Sequence, residues 1–340
     1  MTIAGDPLGG SGFFDPAQVQ VVVPAPGEGR GNWSGAASVI GVDGVFWFAW
    51  RERRPLEAGR GVAVVIARST DGETVEPVAR VGRELFGAES LERPALVALP
   101  ASGWRLYVSC ATTGSKHWWI DSLTAPTPQQ LPSGVRAVAL PGDTRTAVKD
   151  PVVWRDADEW RMFVCCHPLS EPGDEDRMTT RLATSADGLS WTDGGEMLCG
   201  TTGSWDARGT RITAALPGTV IDGMPELVLY DGRPDATSNW YETTGLARWD
   251  GTRYVTVPGE HLRSPHSDGA LRYAAVMSLP GPTGSGRIEP GRTEFGPAQL
   301  GGPPRITPPI TDGPKSSSLR WYAERAREDG AHDLVTWSSS

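Results

Sequence analysis

Residues 149–191 read KDPVVWRDADEWRMFVCCHPLSEPGDEDRMTTRLATSADGLSW, and this stretch decides the fold class. Its segment 160–166 (WRMFVCC) is short, apolar and bounded by charged or turn-forming residues, which is typical of a β-strand. Segment 183–191 (ATSADGLSW) places Asp-Gly before a tryptophan. Asp-Gly favours a tight hairpin turn, and the indole ring fills the space between packed sheets. The stretch therefore predicts antiparallel strands joined by tight turns.

Similar strands recur at regular distances along the chain, at 45–50, 104–110, 226–230 and 271–277. A short element precedes each of them by about ten residues, and these elements begin at 33, 92, 149, 205 and 265, in steps of 59, 57, 56 and 60. A repeat of this length that carries four strands is typical of a propeller blade. The sequence predicts an all-β fold, a five-bladed β-propeller over residues 31–340 with blades starting near 33, 92, 149, 205 and 265.

Two segments lie outside the repeat. Residues 1–30 contain one predicted strand, 19–23, and we expect it to close the ring by pairing with the last blade, because an open sheet edge is a liability. Residues 280–315 are rich in Pro and Gly and show no periodicity. They are predicted to form a loop or a partly disordered insertion within blade five.

Composition narrows the class of protein further. The 340 residues include 42 Gly and 29 Pro but also 14 Trp, so the chain is not of the disordered type. No apolar stretch is long enough for a membrane span and no leader-like segment opens the chain, which predicts a cytoplasmic protein. The net charge of −9 argues against nucleic acid and anionic membranes as partners. Nucleotide-binding, zinc-protease and Cys-pair motifs are lacking, so we expect no cofactor and no metal.

Two motifs of the third unit resemble the five-bladed β-propeller glycoside hydrolases, the arabinanase, xylosidase and invertase group. They are Lys149-Asp150-Pro151-Val152-Val153, similar to the Asp-Pro motif of the third blade in that group, and the turn at 185–191. The resemblance implies three carboxylates around the axis: a base or nucleophile from blade one, a modulating Asp, and an acid from blade four. Asp150 matches the modulating Asp. Asp206 lies where the acid is expected, although the group usually has Glu there.

Blade one departs from that pattern, because Asn32-Trp33-Ser34 offers no carboxylate. Glu92, at the start of blade two, is a candidate for a relocated base, since the first strand of each blade begins at the central funnel. His167 follows a strand and is a candidate proton shuttle. Simpler interpretations stay open: Asp150 caps a turn before Pro151, Glu92 pairs with Arg93, and His167 is structural.

A second set of residues is predicted to contact substrate. Arginine forks bind carboxylates, phosphates and vicinal hydroxyls, and tryptophan rings can stack on a sugar. His266 could match an axial histidine that the resemblance implies. The candidates are Arg51, Arg93, Trp118, Arg177, Trp205, Arg208, Arg211, Asp231, Arg233, Glu242 and His266. The alternative is a set of solvated loop charges and of tryptophans packed between blades.

Lysine is rare: it occurs at 116, 149 and 315, and the rest of the 32 basic residues are arginine. Codon bias and bidentate recognition of carboxylate or diol groups both explain such an excess of arginine.

Together these patterns predict a glycoside hydrolase-like enzyme that acts on a small, carbohydrate-like substrate in the funnel. In this hypothesis Asp206 is the general acid, Glu92 the base, and Asp150 the group that orients and tunes. The missing blade-one carboxylate motivates the alternative, an atypical propeller without hydrolytic activity. Such a protein would be a lyase, isomerase or cyclase of a biosynthetic pathway, or a sugar- or metabolite-binding protein.

Overall fold

The structure, a computed structural model, describes residues 19–259, 261–279 and 318–339. Within these ranges the chain forms 22 strands and no α-helix, so the all-β prediction is confirmed. Three short 3-10 helices lie in connections, at Leu56–Ala58, Arg83–Phe86 and Pro128–Ser133. No helix of the described part is long and apolar enough to cross a membrane. The insertion predicted at 280–315 lies outside the described residues.

The strands, numbered in chain order, are β1 Gln20–Val23, β2 Trp33–Val42, β3 Val45–Arg53, β4 Gly61–Ser69, β5 Glu76–Gly82, β6 Leu91–Ala98, β7 Trp104–Ala111, β8 Trp118–Ala125, β9 Val135–Leu140, β10 Thr146–Asp156, β11 Glu159–Pro168, β12 Thr179–Ser185, β13 Thr192–Leu198, β14 Gly209–Ala215, β15 Val220–Ile221, β16 Met224–Pro225, β17 Leu227–Arg233, β18 Thr243–Trp249, β19 Tyr254–Thr256, β20 Leu271–Ser278, β21 Leu319–Ala326 and β22 His332–Ser339.

Neighbouring strands pair mainly in antiparallel order. Three sheets have four strands each, in the orders β6-β7-β8-β9, β10-β11-β12-β13 and β14-β17-β18-β19, and β15 and β16 form a separate ribbon. The remaining strands form one eight-stranded sheet in the order β20-β21-β22-β2-β3-β4-β5, with β1 paired to β22. In that sheet β2 meets β22 through a single parallel bridge between Trp33 and His332. The N-terminal strand β1 runs antiparallel to β22, and Gln20 lies opposite Thr336.

Five strands contact one another in a closed order. β2 contacts β6, β6 contacts β10, β10 contacts β14, β14 contacts β20, and β20 contacts β2. Each of them carries a shift of register where it faces the next strand of its own sheet. At three of these bulges a residue other than glycine has a positive φ: 53° at Ala36, 56° at Asp150 and 53° at Tyr273. Because a bulge re-aims side chains, these shifts select which residues each strand presents to its neighbours.

The Asp-Gly turn after β12 connects its sheet to a neighbouring sheet. In the turn after β12, the Asp187 carboxylate accepts hydrogen bonds from the backbone N–H groups of Leu189 and Ser190, which lower the pKa of Asp187 to about 2. Gly188 has a φ of 71° and its carbonyl accepts a hydrogen bond from the Tyr107 hydroxyl of β7. Trp191 packs edge-on against Tyr107 with ring centroids 6.0 Å apart. The turn predicted at 183–191 therefore contacts a different sheet, as its tryptophan suggested.

Candidate functional site

The five strands in closed order surround a cavity of about 350 Å³. Each of them contributes at least one residue to its wall. The lining side chains combine aromatic rings with many charges, and they are Trp33, Arg51, Arg60, Glu92, Lys116, Trp118, Lys149, His167, Glu175, Asp176, Arg211, Arg233, Asn239, Trp240, Glu242, Arg272 and Tyr273, with Ser115, Gly173 and Ala236 between them. A concave site that mixes aromatic faces with converging polar groups is the usual form of a small-molecule site.

Tyr273 lies between two carboxylates. Its hydroxyl is 3.4 Å from Oδ2 of Asp150 and 3.5 Å from Oε2 of Glu92, and the Arg211 guanidinium lies 4.0 Å from its ring centroid. Burial, together with these negative charges, raises the pKa of Tyr273 well above its ordinary value. The phenol is therefore protonated at neutral pH and can donate a hydrogen bond to either carboxylate.

Around Tyr273 runs a series of buried ion pairs in which each arginine bridges two carboxylates. Arg51 joins Glu92 to Glu324, with 2.5 Å from its Nη2 to Oε2 of Glu324. Arg272 joins Glu324 to Glu242, at 2.8 and 2.7 Å. Such pairs are desolvated and fix each other's geometry. They give the cavity a rigid wall of hydrogen-bonding groups.

Arg211 makes the third bridge. It binds Oδ2 of Asp150 at 3.0 Å and Oδ2 of Asp231 at 2.7 Å. Asp231 also accepts hydrogen bonds from the Thr244 hydroxyl and from the backbone N–H of Tyr273. This bridge therefore ties β10, β14, β17 and β20 together beneath the cavity.

The ion pairs keep the cavity carboxylates ionised. Burial by itself would raise the pKa of Glu92, but Arg51 and Lys149 outweigh it and bring the pKa to about 2. The pKa values of Asp150 and Glu242 are likewise lowered, because burial is outweighed by Lys149 and Arg211 for the first and by Arg272 and Arg211 for the second. A general acid needs the opposite shift, so these carboxyl groups are placed as bases, nucleophiles or binding groups.

His167 lines the cavity as a neutral ring. Its Nδ1 donates to the Glu175 carbonyl at 2.6 Å, which leaves Nε2 as an acceptor 3.4 Å from the Cys165 sulfur. Burial and the nearby Lys149 charge lower the pKa of His167 to about 3, and burial raises the pKa of the Cys165 thiol. The pair therefore lacks both the imidazolium and the thiolate that a cysteine nucleophile requires.

The aromatic residues stand at separate places in the wall. Trp33 stacks on His332 with ring centroids 4.4 Å apart and meets Trp240 edge-on at 5.8 Å. Trp118 lies beneath two cations, with the Lys149 ammonium 5.0 Å and the Arg60 guanidinium 5.7 Å from its ring. These contacts fix the orientation of each ring in the wall.

Of the four residues predicted to be catalytic, the structure brings three together. Glu92 and His167 line the cavity, and Asp150 lies directly behind its wall, bonded to Arg211 and Tyr273. Asp206 is elsewhere: its carboxylate accepts hydrogen bonds from the Tyr230 hydroxyl at 3.1 Å and the Thr201 N–H at 3.2 Å, and it is not part of the cavity wall. The structure therefore does not bring Asp206 together with Glu92, the group predicted to act with it.

The predicted substrate-binding residues fall into those that line the cavity and those that do not. Arg51, Trp118, Arg211, Arg233 and Glu242 line the cavity, whereas Asp231 and Arg93 are buried behind it. Arg93 donates to the Thr213 carbonyl at 2.5 Å and so spans from β6 to β14.

Four further candidates lie outside the cavity wall. Trp205 stacks on Tyr230 with ring centroids 5.4 Å apart. It covers Gly232 and Gly245, whose lack of side chains makes room for its ring. The other three candidates are Arg208, which pairs with Asp176 at 2.6 Å, Arg177, which pairs with Asp174 at 2.8 Å, and His266, which is exposed on a turn.

Several site residues were missed by the sequence reasoning. Trp33 and Lys149 stand in quoted motifs without a predicted role in the site. Arg272 and Tyr273 lie inside the strand predicted at 271–277, and Glu324 lies in no quoted segment. A usable signal was the presence of charged residues in the middle of otherwise apolar strands, since a buried charge is rare unless it is paired. Further side chains of the wall that were not among the predicted site residues are Arg60, Lys116, Glu175, Asp176, Asn239 and Trp240.

Within the described part of the chain, no group of three or more His, Cys, Asp or Glu side chains is arranged to hold a metal ion.

The similarity of this chain to known proteins lies in its fold. No protein-family model and no curated protein matches the sequence. The structure is similar to that of an α-L-arabinanase from Penicillium chrysogenum complexed with arabinobiose, with a TM-score of 0.53, 14% identity, and coverage of 95% of this chain and 98% of that chain. It is also similar to an α-L-arabinofuranosidase from Lactobacillus brevis, with a TM-score of 0.57, 11% identity and 90% of each chain covered.

A third similar structure is the β-1,2-mannobiose phosphorylase from Listeria innocua in complex with β-1,2-mannobiose. Its TM-score is 0.54, its identity is 12%, and the match covers 90% of this chain and 89% of that chain. At identities this low the likeness establishes the fold, which this chain has in common with enzymes that cleave glycosides.

Proposed function

We propose that the chain is a five-bladed β-propeller whose central cavity binds a small carbohydrate. The three four-stranded sheets are three blades, and the eight-stranded sheet is two blades joined by the bridge between β2 and β22. In this arrangement β1 completes the last blade, as the sequence predicts. The closed order of contacts among β2, β6, β10, β14 and β20 supports the ring.

The observation that carries the proposed function is the make-up of the cavity wall. Three tryptophans line a volume that fits a mono- or disaccharide, beside arginines held in place by carboxylates. Sugars present apolar C–H faces and many hydroxyls, so rings and fixed donors complement them. Because the ion pairs already hold the arginines, little side-chain entropy is lost on binding. Similar folds bind arabinobiose and β-1,2-mannobiose, which supports the same class of ligand.

Binding can be tested by isothermal titration calorimetry with a panel of pentoses, hexoses and their disaccharides. We expect at least one sugar to bind, and Trp118→Leu to raise its Kd at least about tenfold, or about 1.4 kcal/mol. The matched control is Trp191→Leu, because Trp191 packs against Tyr107 away from the cavity wall and should leave Kd unchanged. Absence of binding across the panel, or equal effects of the two variants, would contradict the proposal.

A second candidate function is acid–base chemistry on the bound sugar. It is favoured by the position of the Tyr273 hydroxyl, between Glu92 and Asp150. Glu92, which is kept ionised, would act as base or nucleophile, and the Tyr273 hydroxyl, which lies within reach of it, as the proton donor. The same pair of groups suits hydrolysis, elimination or isomerisation.

Turnover of a panel of aryl furanosides and pyranosides tests this candidate. We expect Glu92→Gln and Tyr273→Phe each to abolish turnover, whereas Asp206→Asn, away from the cavity, should keep it. Turnover that survives Tyr273→Phe but is lost in Asp206→Asn would restore the assignment made from sequence. The cytoplasmic location and the absence of nucleic-acid and membrane partners stay predictions.

A further inference from the structure

One side of the cavity wall carries cations that the ion-pair series does not engage closely. Lys149 pairs with Asp150 at 3.6 Å and Arg60 pairs with Glu89 at 3.7 Å. By contrast, Arg211 and Arg272 each lie within 3.0 Å of two carboxylates. Lys149 and Arg60 therefore keep donors and charge for a ligand, whereas the donors of the bridging arginines are largely committed.

These cations share one support. The Lys149 ammonium and the Arg60 guanidinium both lie against Trp118, at 5.0 and 5.7 Å from its ring. Cation–π contacts of this kind hold long side chains in place. Lys116, two residues before Trp118 and exposed, adds a third positive charge to the same part of the wall. An anionic group beside Trp118 would thus meet three cations.

The distribution of lysine points to the same place. Lysine occurs at three positions among 32 basic residues, and two of these, Lys116 and Lys149, line the cavity. Codon bias would favour arginine here as elsewhere. An ammonium differs from a guanidinium in being a compact point charge that binds a single anionic oxygen from any direction, and this difference gives a reason for lysine at these positions.

We infer that the carbohydrate bound in this cavity carries an anionic substituent, and that Lys149, Arg60 and Lys116 bind that group beside Trp118. The chemistry is that of a carboxylate or a phosphate, so a uronic acid or a sugar phosphate is the expected ligand class. The inference rests on the proposed function, that a carbohydrate occupies the cavity.

The test compares matched ligands by calorimetry: glucose, galactose and mannose, each as the neutral sugar, the uronate and the 6-phosphate. For at least one configuration, we expect an anionic form to bind at least about tenfold more tightly than the neutral form, since hydrogen bonds to charged groups are the stronger ones. This advantage should shrink as salt is added. Whichever of the uronate and the 6-phosphate binds more tightly shows whether the bound group is a carboxylate or a phosphate.

Variants then assign the preference to the three cations. Lys149→Gln should remove most of the advantage of the anionic form over the neutral form, and Lys149→Arg, which keeps the charge but not the compact ammonium, should retain more of that advantage than Lys149→Gln does. Arg68→Gln is the matched control, because it removes the same charge from an exposed pair with Glu76. If Lys149→Gln does not fold, the exposed Lys116→Gln serves in its place and should reduce the advantage.

The outcomes separate the inference from the proposed function. Neutral sugars that bind as tightly as their anionic forms would overturn the inference and leave carbohydrate binding standing. The same holds for a preference that the lysine variants do not change. Failure of every sugar to bind would overturn the proposed function and the inference with it.

Discussion

Glu324→Gln tests whether the buried ion pairs stabilise the fold. Glu324 is fully buried on β21 and accepts hydrogen bonds from Nη2 of Arg51 at 2.5 Å and Nε of Arg272 at 2.8 Å, and it lies 2.9 Å from Nδ1 of His332. Glutamine has the same shape but lacks the charge, and its amide NH₂ would face a guanidinium. The substitution therefore leaves two buried arginines short of a counter-charge without creating a cavity.

The expected size of the effect follows from general values. Breaking a buried pair by removing one partner costs about 3–5 kcal/mol. Unfolding entropy is about 2.1 cal/mol/K per residue, which is about 0.7 kcal/mol/K for 340 residues. If the chain unfolds as one unit, dividing the first by the second predicts that Tm falls by about 4–7 °C.

Differential scanning calorimetry measures this change directly. The matched control is Glu76→Gln, which removes the same charge from an exposed pair with Arg68. An exposed pair is worth about 0–1 kcal/mol, so Tm should move by less than about 1.5 °C. A Glu324→Gln protein whose Tm lies as close to the parent as that of the control would refute the idea that these pairs stabilise the fold.

Three further predictions concern the same wall. Gly35→Ala places a methyl group against the Glu324 side chain and should lower Tm, because overpacking of this kind costs about 1–3 kcal/mol. The control Gly41→Ala meets only the flexible end of Met277 at 3.1 Å and should lower Tm less. Arg211→Lys cannot bridge both Asp150 and Asp231, so the free energy of unfolding in urea should drop by about 1.5–3 kcal/mol, one charge-assisted bond; no drop would contradict the bridging role. Because the pKa of Glu92 falls to about 2 on folding, its carboxylate contributes stability above the unfolded pKa and loses it as pH falls from about 4.5 to 2, by at most about 1.4 kcal/mol per pH unit. Urea titrations at several pH values in that range should give a free energy of unfolding that changes less steeply with pH in Glu92→Gln than in the parent. An equal dependence on pH in the two proteins would show that Glu92 is not held ionised.

The sequence predicted local structure well because local structure depends on local pattern. The apolar segment 160–166 lies within β11, and the strand predicted at 19–23 corresponds to β1, Gln20–Val23. The Asp-Gly turn at Asp187 forms as expected, since its geometry is set by neighbouring residues alone. These features need no knowledge of distant parts of the chain.

Which residues line the site depends on contacts between distant parts of the chain, and no local sequence pattern contains that information. Arg51 and Glu324 are 273 residues apart, and their contact depends on the meeting of β3 and β21. The spacing of the repeat located the fourth unit near 205, but β14 begins at Gly209, and it is Arg211 rather than Asp206 that lines the cavity. A small shift along a strand moves a side chain to the other face of the sheet, so a period near 57 could locate the unit and not the residue.

The bulges explain how a repeated backbone yields a site that is not repeated. The first residue of each shift of register is Ala36 in β2, Glu92 in β6, Asp150 in β10, Thr213 in β14 and Tyr273 in β20. The five positions share their place in the fold but not their chemistry: a methyl group, two carboxylates, a hydroxyl and a phenol. A fold does not by itself dictate function, which resides in the side chains placed on it. The absence of a carboxylate from this place in β2 is then one of several differences among equivalent positions. Activity has to be judged from all five positions together, with Tyr273 between Asp150 and Glu92 as the point where the proposed acid–base chemistry would act.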